Sequence, residues 1–419
     1  MAIANRDVNK VQVEDAPAHD WYRFVLSFPP HLVRDYCERF GVTEGQRVLD
    51  PFCGTGTVLV ECKKLGIPSI GVEAHPMSAF ASSVKVDWVP DADALMSHAT
   101  RVASAADAHS AIGGLRPRVL LPDAMKLLLS DSIGDLALHK TLVLLEWLET
   151  LRDDRLHRHE QLALARAVVR DCSNLHFGPE VGVEPPPRRK RDAHVTEAWL
   201  ASVRTVAEDL RRLHGKARTP ASVYQADSRQ IAQILAPESI DVVITSPPYP
   251  NEKDYTRTTR LESVLLGFIR NKAELRDVKK GMVRSNTRGV YQQDDDGRWV
   301  EEHSEIQRIC AEIEARRIGL GKTSGFERQY HRVAKLYFGG MARHLAELRA
   351  VLRPGARLAY VVGDQASYLQ VMIRTGQLLA DIAASLGYEV TGIDLFRTRI
   401  ATATRQQMRE EVLLLRWNG

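Results

Sequence analysis

The chain is poor in the features that mark exported or membrane-bound proteins. Its 419 residues hold only five cysteines, an odd number with no C-x-x-C pair. That excludes a disulfide framework and fits a reducing cytoplasm. No apolar run is long enough to cross a bilayer: the stretch Leu142 to Leu151 is broken by Glu146 and Glu149 and reads as an amphipathic helix. Residues 1–20 read as a flexible leader, and Met1 to Pro17 lack the apolar core of a signal peptide. An excess of one charge is also missing. Lys plus Arg number 57 and Asp plus Glu 53, a net charge of +4, which permits nucleic-acid contact through local patches without implying it. With 44% apolar and 26% charged residues, the composition is that of a globular chain, long enough for two to three domain-sized units or one core with large insertions.

Three motifs of other chemistries are incomplete. Gly319-Leu320-Gly321-Lys322-Thr323 ends like a phosphate loop, but the first glycine would fall at Arg316 and no strand precedes it. His157, His159, Cys172 and His176 match no zinc spacing. Asp294-Asp295-Asp296-Gly297 lacks the alternating ligands and closing Glu of a calcium loop and reads as a solvated turn. No metal is expected.

Two motifs carry the chemistry. The apolar run Ile240 to Ile244 leads into Thr245-Ser246-Pro247-Pro248-Tyr249. Consecutive prolines end a strand and have no N–H, so the turn offers carbonyl acceptors at a carboxyl sheet edge, where open α/β sheets bind ligands. Tyr249 adds a face for stacking on a flat base. Far upstream, Arg47-Val48-Leu49-Asp50-Pro51-Phe52-Cys53-Gly54-Thr55-Gly56-Thr57 reads as a strand, a glycine loop and the start of a helix. About twenty residues on, Ile70-Gly71-Val72-Glu73 reads as a second strand ending in a carboxylate, placed to bind ribose hydroxyls. The third glycine of G-x-G-x-x-G would fall at Leu59, and the loop has no Lys or Arg for a pyrophosphate. A nucleoside without phosphates suits it better.

Together these residues resemble the S-adenosylmethionine-dependent amino-methyltransferases of DNA. Asp50, Pro51, Phe52, Cys53, Gly54, Thr55, Gly56 and Thr57 resemble that family's cofactor loop, and Ser246, Pro247, Pro248 and Tyr249 its catalytic loop. Ser at the first catalytic position is typical of the N4-cytosine branch, Asp of the N6-adenine branch. The resemblance implies an α/β fold with a Rossmann-like class I methyltransferase sheet, mostly parallel with a terminal antiparallel strand. It implies S-adenosylmethionine as cofactor, held also by Phe28, Pro29 and Pro30 ahead of the loop and by Asp227 and Ser228 after the third core strand. Double-stranded DNA is the implied partner; a cognate restriction endonuclease is left open. Covalent catalysis of the C5-cytosine kind needs a Pro-Cys dipeptide, which the chain lacks, so Cys53 reads as a small buried residue. N6-adenine methylation, tRNA guanine-N2 methylation and a degenerate DNA-binding subunit remain as rivals.

The organisation follows. Residues 1–90 and 221–419 form the catalytic core, and 91–220 a large helical insertion that is a candidate for DNA recognition. Residues 270–330 form a second insertion, a candidate DNA-contacting segment. Within the first insertion, Arg188, Arg189, Lys190 and Arg191 follow three prolines and suit a phosphate backbone. Tyr388 to Phe396 and Glu411 to Trp417 pair as a terminal hairpin.

Overall fold

The computed structural model describes residues 12–22, 28–112, 116–178, 180–190, 194–251, 253–400 and 407–419. Arg191 and residues 1–11 of the leader lie outside them. Nine strands are present among the described residues: β1 (Val48–Asp50), β2 (Ser69–Glu73), β3 (Leu175–Phe177), β4 (Val181–Val183), β5 (Ala221–Gln225), β6 (Ile240–Thr245), β7 (Leu352–Gly363), β8 (Glu389–Ile400) and β9 (Gln407–Trp417).

Side-chain alternation along the central strands divides the interior in two. Val242, Ile244, Ala359, Val361, Val412 and Leu414 face one apolar core, while Val243, Leu358, Tyr360, Val362, Leu413 and Leu415 face the other. Successive strand residues point to opposite faces, so a run apolar at every position has to be covered on both sides. The helices Pro30–Arg39, Thr57–Leu65 and Pro76–Lys85 supply the first cover, and Tyr330–Leu348 and Thr375–Ser385 the second. The sheet order is β5-β2-β1-β6-β7-β9-β8. Pairings through β7 are parallel, and β9 runs antiparallel to both its neighbours. This is the Rossmann-like class I methyltransferase sheet that the sequence implies, with the reversed strand inserted before the edge.

Between β2 and β5 the chain builds a layer of helices, chiefly Ala92–Ser110, Asp135–Thr150, His157–Ala167 and Val195–Leu213, packed into the first core. The stretch is not wholly helical, because β3 and β4 form an antiparallel hairpin. Its strands span three residues each, too short to show a period in the sequence.

Two further expectations are corrected. The described end of the leader is docked: Ala18 N–H and Trp21 Nε1–H both donate to Asp209 Oδ2, at 3.1 and 2.9 Å, and Trp21 is fully buried. A pair of donors converging on one carboxylate oxygen is invisible to local pattern. Nor is the aspartate triplet wholly solvated: Asp295 is exposed, but its two neighbours are not. Asp296 pairs with Arg229 at 2.5 Å and Asp294 with Arg284 at 2.7 Å, all four side chains being nearly buried. Among the described residues no helix is long and apolar enough to cross a membrane, and no His, Cys, Asp and Glu side chains group as metal ligands.

Candidate active site

A cavity of about 480 Å³ opens at the carboxyl ends of β1, β2, β6 and β7. The glycine loop forms one wall. Gly54 has a φ of +50°, which favours glycine, and the place its Cβ would take is open space. Gly54 N–H donates to Glu73 Oε2 at 2.9 Å, and His75 N–H donates to Glu73 Oε1 at 2.7 Å. The carboxylate that ends β2 therefore ties the loop to the next helix while lining the cavity. Burial raises its pKa.

Phe28, Pro29, Pro51, Phe52, Cys53, Thr55, Thr57 and Ser228 also line the cavity, as do Ser246, Pro247, Pro248 and Tyr249. Burial pushes the Cys53 thiol up, which suits a packing residue rather than a nucleophile. Four residues named from sequence stand behind the wall. Pro30 opens a helix and is buried in its first turn. Gly56 makes room for a helix contact, since a Cβ there would lie 2.6 Å from Ser82 Oγ. Asp50 accepts from Thr245 Oγ1 at 2.6 Å and from Phe52 N–H at 3.1 Å, joining β1 to β6 under the cavity floor. Burial lifts its carboxyl to about 7. Asp227 spends both oxygens on Arg229, with Nε and Nη2 at 2.9 and 2.7 Å, and only its neighbour Ser228 reaches the lining.

The basic run is also partly committed. Arg189 pairs with Asp131 at 3.1 Å and donates to Glu184 O, while Lys190 Nζ donates to Arg170 O at 3.1 Å. Arg188 is exposed.

The catalytic-loop wall has a defined hydrogen-bond direction. Ser246 Oγ–H donates to Val361 O at 3.2 Å, which leaves the Oγ lone pairs as acceptors. Tyr249 OH donates to the same carbonyl at 3.5 Å. Burial raises the Tyr249 phenol, with Glu410 adding to it, so it stays protonated.

Several lining residues carry no local motif in the sequence. Asn251, Lys253 and Tyr255 follow the catalytic loop, and Gln365 and Ser367 follow β7. Arg397 and Glu410 come from the terminal hairpin and pair at 2.5 Å. Gly281, Met282 and Val283 come from the second insertion and close the cavity beside Ala74, whose Cβ would lie 3.9 Å from a Cβ on Gly281. Arg229 fastens this segment, because it bridges Asp227, Asp296 and the Lys280 carbonyl. Spacing alone could have found Asn251 to Tyr255; the rest converge only through the sheet order.

The fit to an adenosyl ligand rests on donor chemistry. An open glycine cradle, a carboxylate at the end of β2 and apolar walls from Phe52 and Val72 suit a ribose and a purine, and no cation of residues 50–57 asks for a phosphate. Fold and cavity together define a class I methyltransferase.

Similarity narrows this class. Residues 7–79 match the N6_N4_Mtase family model, described as DNA methylase. The chain is 25% identical to the type II methyltransferase M.BsoBI of Geobacillus stearothermophilus, over 93% of this chain and 82% of that one. It is 22% identical to type II methyltransferase M.AvaI of Nostoc, over 93% and 83%. A solved rRNA methyltransferase, aviRa of Streptomyces viridochromogenes, superposes with a TM-score of 0.35 at 11% identity, covering 97% of this chain and 94% of that one; the fold class rests on the sheet order instead. The chain is thus similar to the N6/N4 DNA amino-methyltransferases, and the methyl donor that this likeness supports is S-adenosylmethionine.

Proposed function

We propose that this protein is a cytoplasmic, site-specific DNA methyltransferase that methylates the exocyclic N4 amino group of cytosine in an extruded base. The observation that carries the reading is the Ser246 hydrogen bond to Val361 O. With its own proton committed there, Ser246 Oγ faces an incoming base as an acceptor, which is what an amino N–H requires. An aspartate at this position would set a carboxylate against the Val361 carbonyl, two acceptors in conflict.

The cytosine amino lone pair is delocalised into the ring and nucleophilically weak. Amino hydrogens held by Ser246 Oγ and the Pro247 carbonyl favour a pyramidal nitrogen whose lone pair points at the donor side of the cavity, so positioning is the protein's main work. The glycine loop, Glu73 and Ser228 would hold S-adenosylmethionine, which when bound would supply an electrophilic methyl, its bonding pair returning to sulfur. No strong base is needed beforehand, since the cationic product amine sheds its proton to solvent. Extrusion from the duplex costs about a few kcal/mol, and stacking on Tyr249 offsets part of it.

Donor supply also favours cytosine. Away from guanine, cytosine exposes two acceptors, N3 and O2, beside its amino group, whereas adenine exposes N1 alone on that edge. The cavity lining includes the donor side chains of Asn251, Lys253 and Gln365, with Arg397 paired to Glu410 beside them.

The test supplies unmodified duplex DNA and tRNA with methyl-labelled S-adenosylmethionine. Label in DNA, lost in Ser246→Ala while cofactor affinity persists, supports the proposal. Label confined to tRNA contradicts it.

A further inference from the structure

One donor in the cavity is buried on a pinned backbone while its side-chain amide is scarcely bonded. Gln365 is 2% exposed and lines the cavity just past the end of β7. Its backbone is pinned by a reciprocal pair of hydrogen bonds with Ile373, 3.0 Å from Gln365 N–H and 2.7 Å to Gln365 O. Its side-chain amide, by contrast, makes one long bond, Nε2 to Gly363 O at 3.4 Å. A buried amide with so weak a bond costs stability, so its position calls for a ligand.

Gly363 shows what surrounds that amide. A Cβ built there would lie 3.2 Å from Tyr249 Cε2, 3.3 Å from Glu410 Cγ and 3.7 Å from Gln365 Nε2. The catalytic-loop ring, the amide and the terminal hairpin thus converge on one glycine. Two residues back along β7 is Val361, whose carbonyl takes the Ser246 and Tyr249 hydroxyls. Gln365 therefore sits beside Tyr249, where the target base would stack, past the end of β7 and separated by β6 from the glycine loop that follows β1.

Extrusion strips cytosine of the guanine N1–H and N2–H that satisfied its N3 and O2, and a site that reads the base has to restore a donor there. The geometry points to Gln365 as the specificity-determining reader of the target base, its amide N–H donating to the ring nitrogen next to the reacting amino group. This rests on the proposed cytosine reading. Serine and proline hold the amino hydrogens, and Gln365 recognises the neighbouring acceptor, so a base with N–H at that ring position, such as thymine, would meet the wrong partner.

The test uses the full chain and a duplex bearing its methylation site, located beforehand by sequencing DNA it has modified. Gln365→Leu removes the donor at similar volume, and 3-deazacytosine at the target position removes the acceptor. Gln365→Leu is expected to lower kcat/KM for the duplex roughly 30-fold while leaving KM for the methyl donor within about twofold. The 3-deaza target should be as poor for the wild-type protein as cytosine is for Gln365→Leu. Combining the two should cost little more, the mark of a shared contact. Fully additive losses, or a matching rise in KM for the methyl donor, would overturn the assignment. A wild-type protein that modifies DNA but never cytosine N4 would overturn the reading beneath it, a failure seen before any variant is made.

Discussion

Asp50 shows how a motif residue can matter without touching a ligand. It lies under the cavity and holds the β1 and β6 loops in register through Thr245 and Phe52. Burial raises its carboxyl to about 7, far above the value of about 3.9 for an unfolded chain. The folded protein thus keeps a proton that the unfolded chain releases. The associated stability is full below about pH 4 and is lost as pH rises toward 7. Asp50→Asn keeps an acceptor Oδ1 for both bonds but cannot ionise. Its melting temperature should therefore fall less between pH 5 and pH 8 than that of the wild type, as calorimetry will show; an equal fall would contradict the burial argument. Gly54 gives a second prediction. Its positive φ and the open space at its missing Cβ mean that Gly54→Val should abolish stabilisation of the protein by S-adenosylmethionine in thermal melts. Tyr249→Ala should leave that stabilisation intact and weaken productive DNA binding by about 1–3 kcal/mol, the worth of one base-stacking contact, measured as kcat/KM. Residues such as Gly54, Glu73 and Ser246 were legible because each sits in a short contiguous pattern with its own backbone logic. Gln365, Arg397 and Glu410 were not, since nothing beside them in sequence marks them out.

At the scale of elements, the second insertion is bound into the core by buried charge. Arg229 reaches Asp227 at the end of the third core strand and Asp296 and Lys280 O in the insertion. Gly339 lets the insertion approach the helix Tyr330–Leu348 so closely that a Cβ would lie 2.0 Å from Asp296 O. Removing the cation leaves Asp227 without a cationic partner and Asp296 with Arg343 alone, at 3.4 Å, and breaking a buried pair typically costs about 3–5 kcal/mol. Arg229→Met should lower unfolding free energy by that order in urea titrations. Because Gly281 to Val283 also line the cavity, the KM for S-adenosylmethionine should rise more than kcat falls; an unchanged KM would show that this segment does not shape the cofactor end. The strands of the main sheet were legible from their apolar runs and the helices from spacing, whereas the three-residue strands β3 and β4 were not. The ion pairs were not, because Asp294 and Asp296 sit in a run of charge that is indistinguishable from a surface turn until Arg284 and Arg229 are seen beside them.

At the scale of the whole molecule, the sheet order does what no segment does alone. It brings the glycine loop after β1, the carboxylate after β2, the Ser-Pro-Pro-Tyr turn after β6 and the terminal hairpin to one edge. The glycine-loop wall and the Ser-Pro-Pro-Tyr wall then line one cavity. The central claim is that the base presented there is cytosine, and the direct measurement is mass spectrometry of nucleosides from DNA incubated with the protein and methyl-labelled S-adenosylmethionine. N4-methylcytosine as the labelled product is the result expected from the Ser246 acceptor geometry and the donor-rich pocket. N6-methyladenine as the product would keep the fold and the in-line transfer but contradict the cytosine assignment.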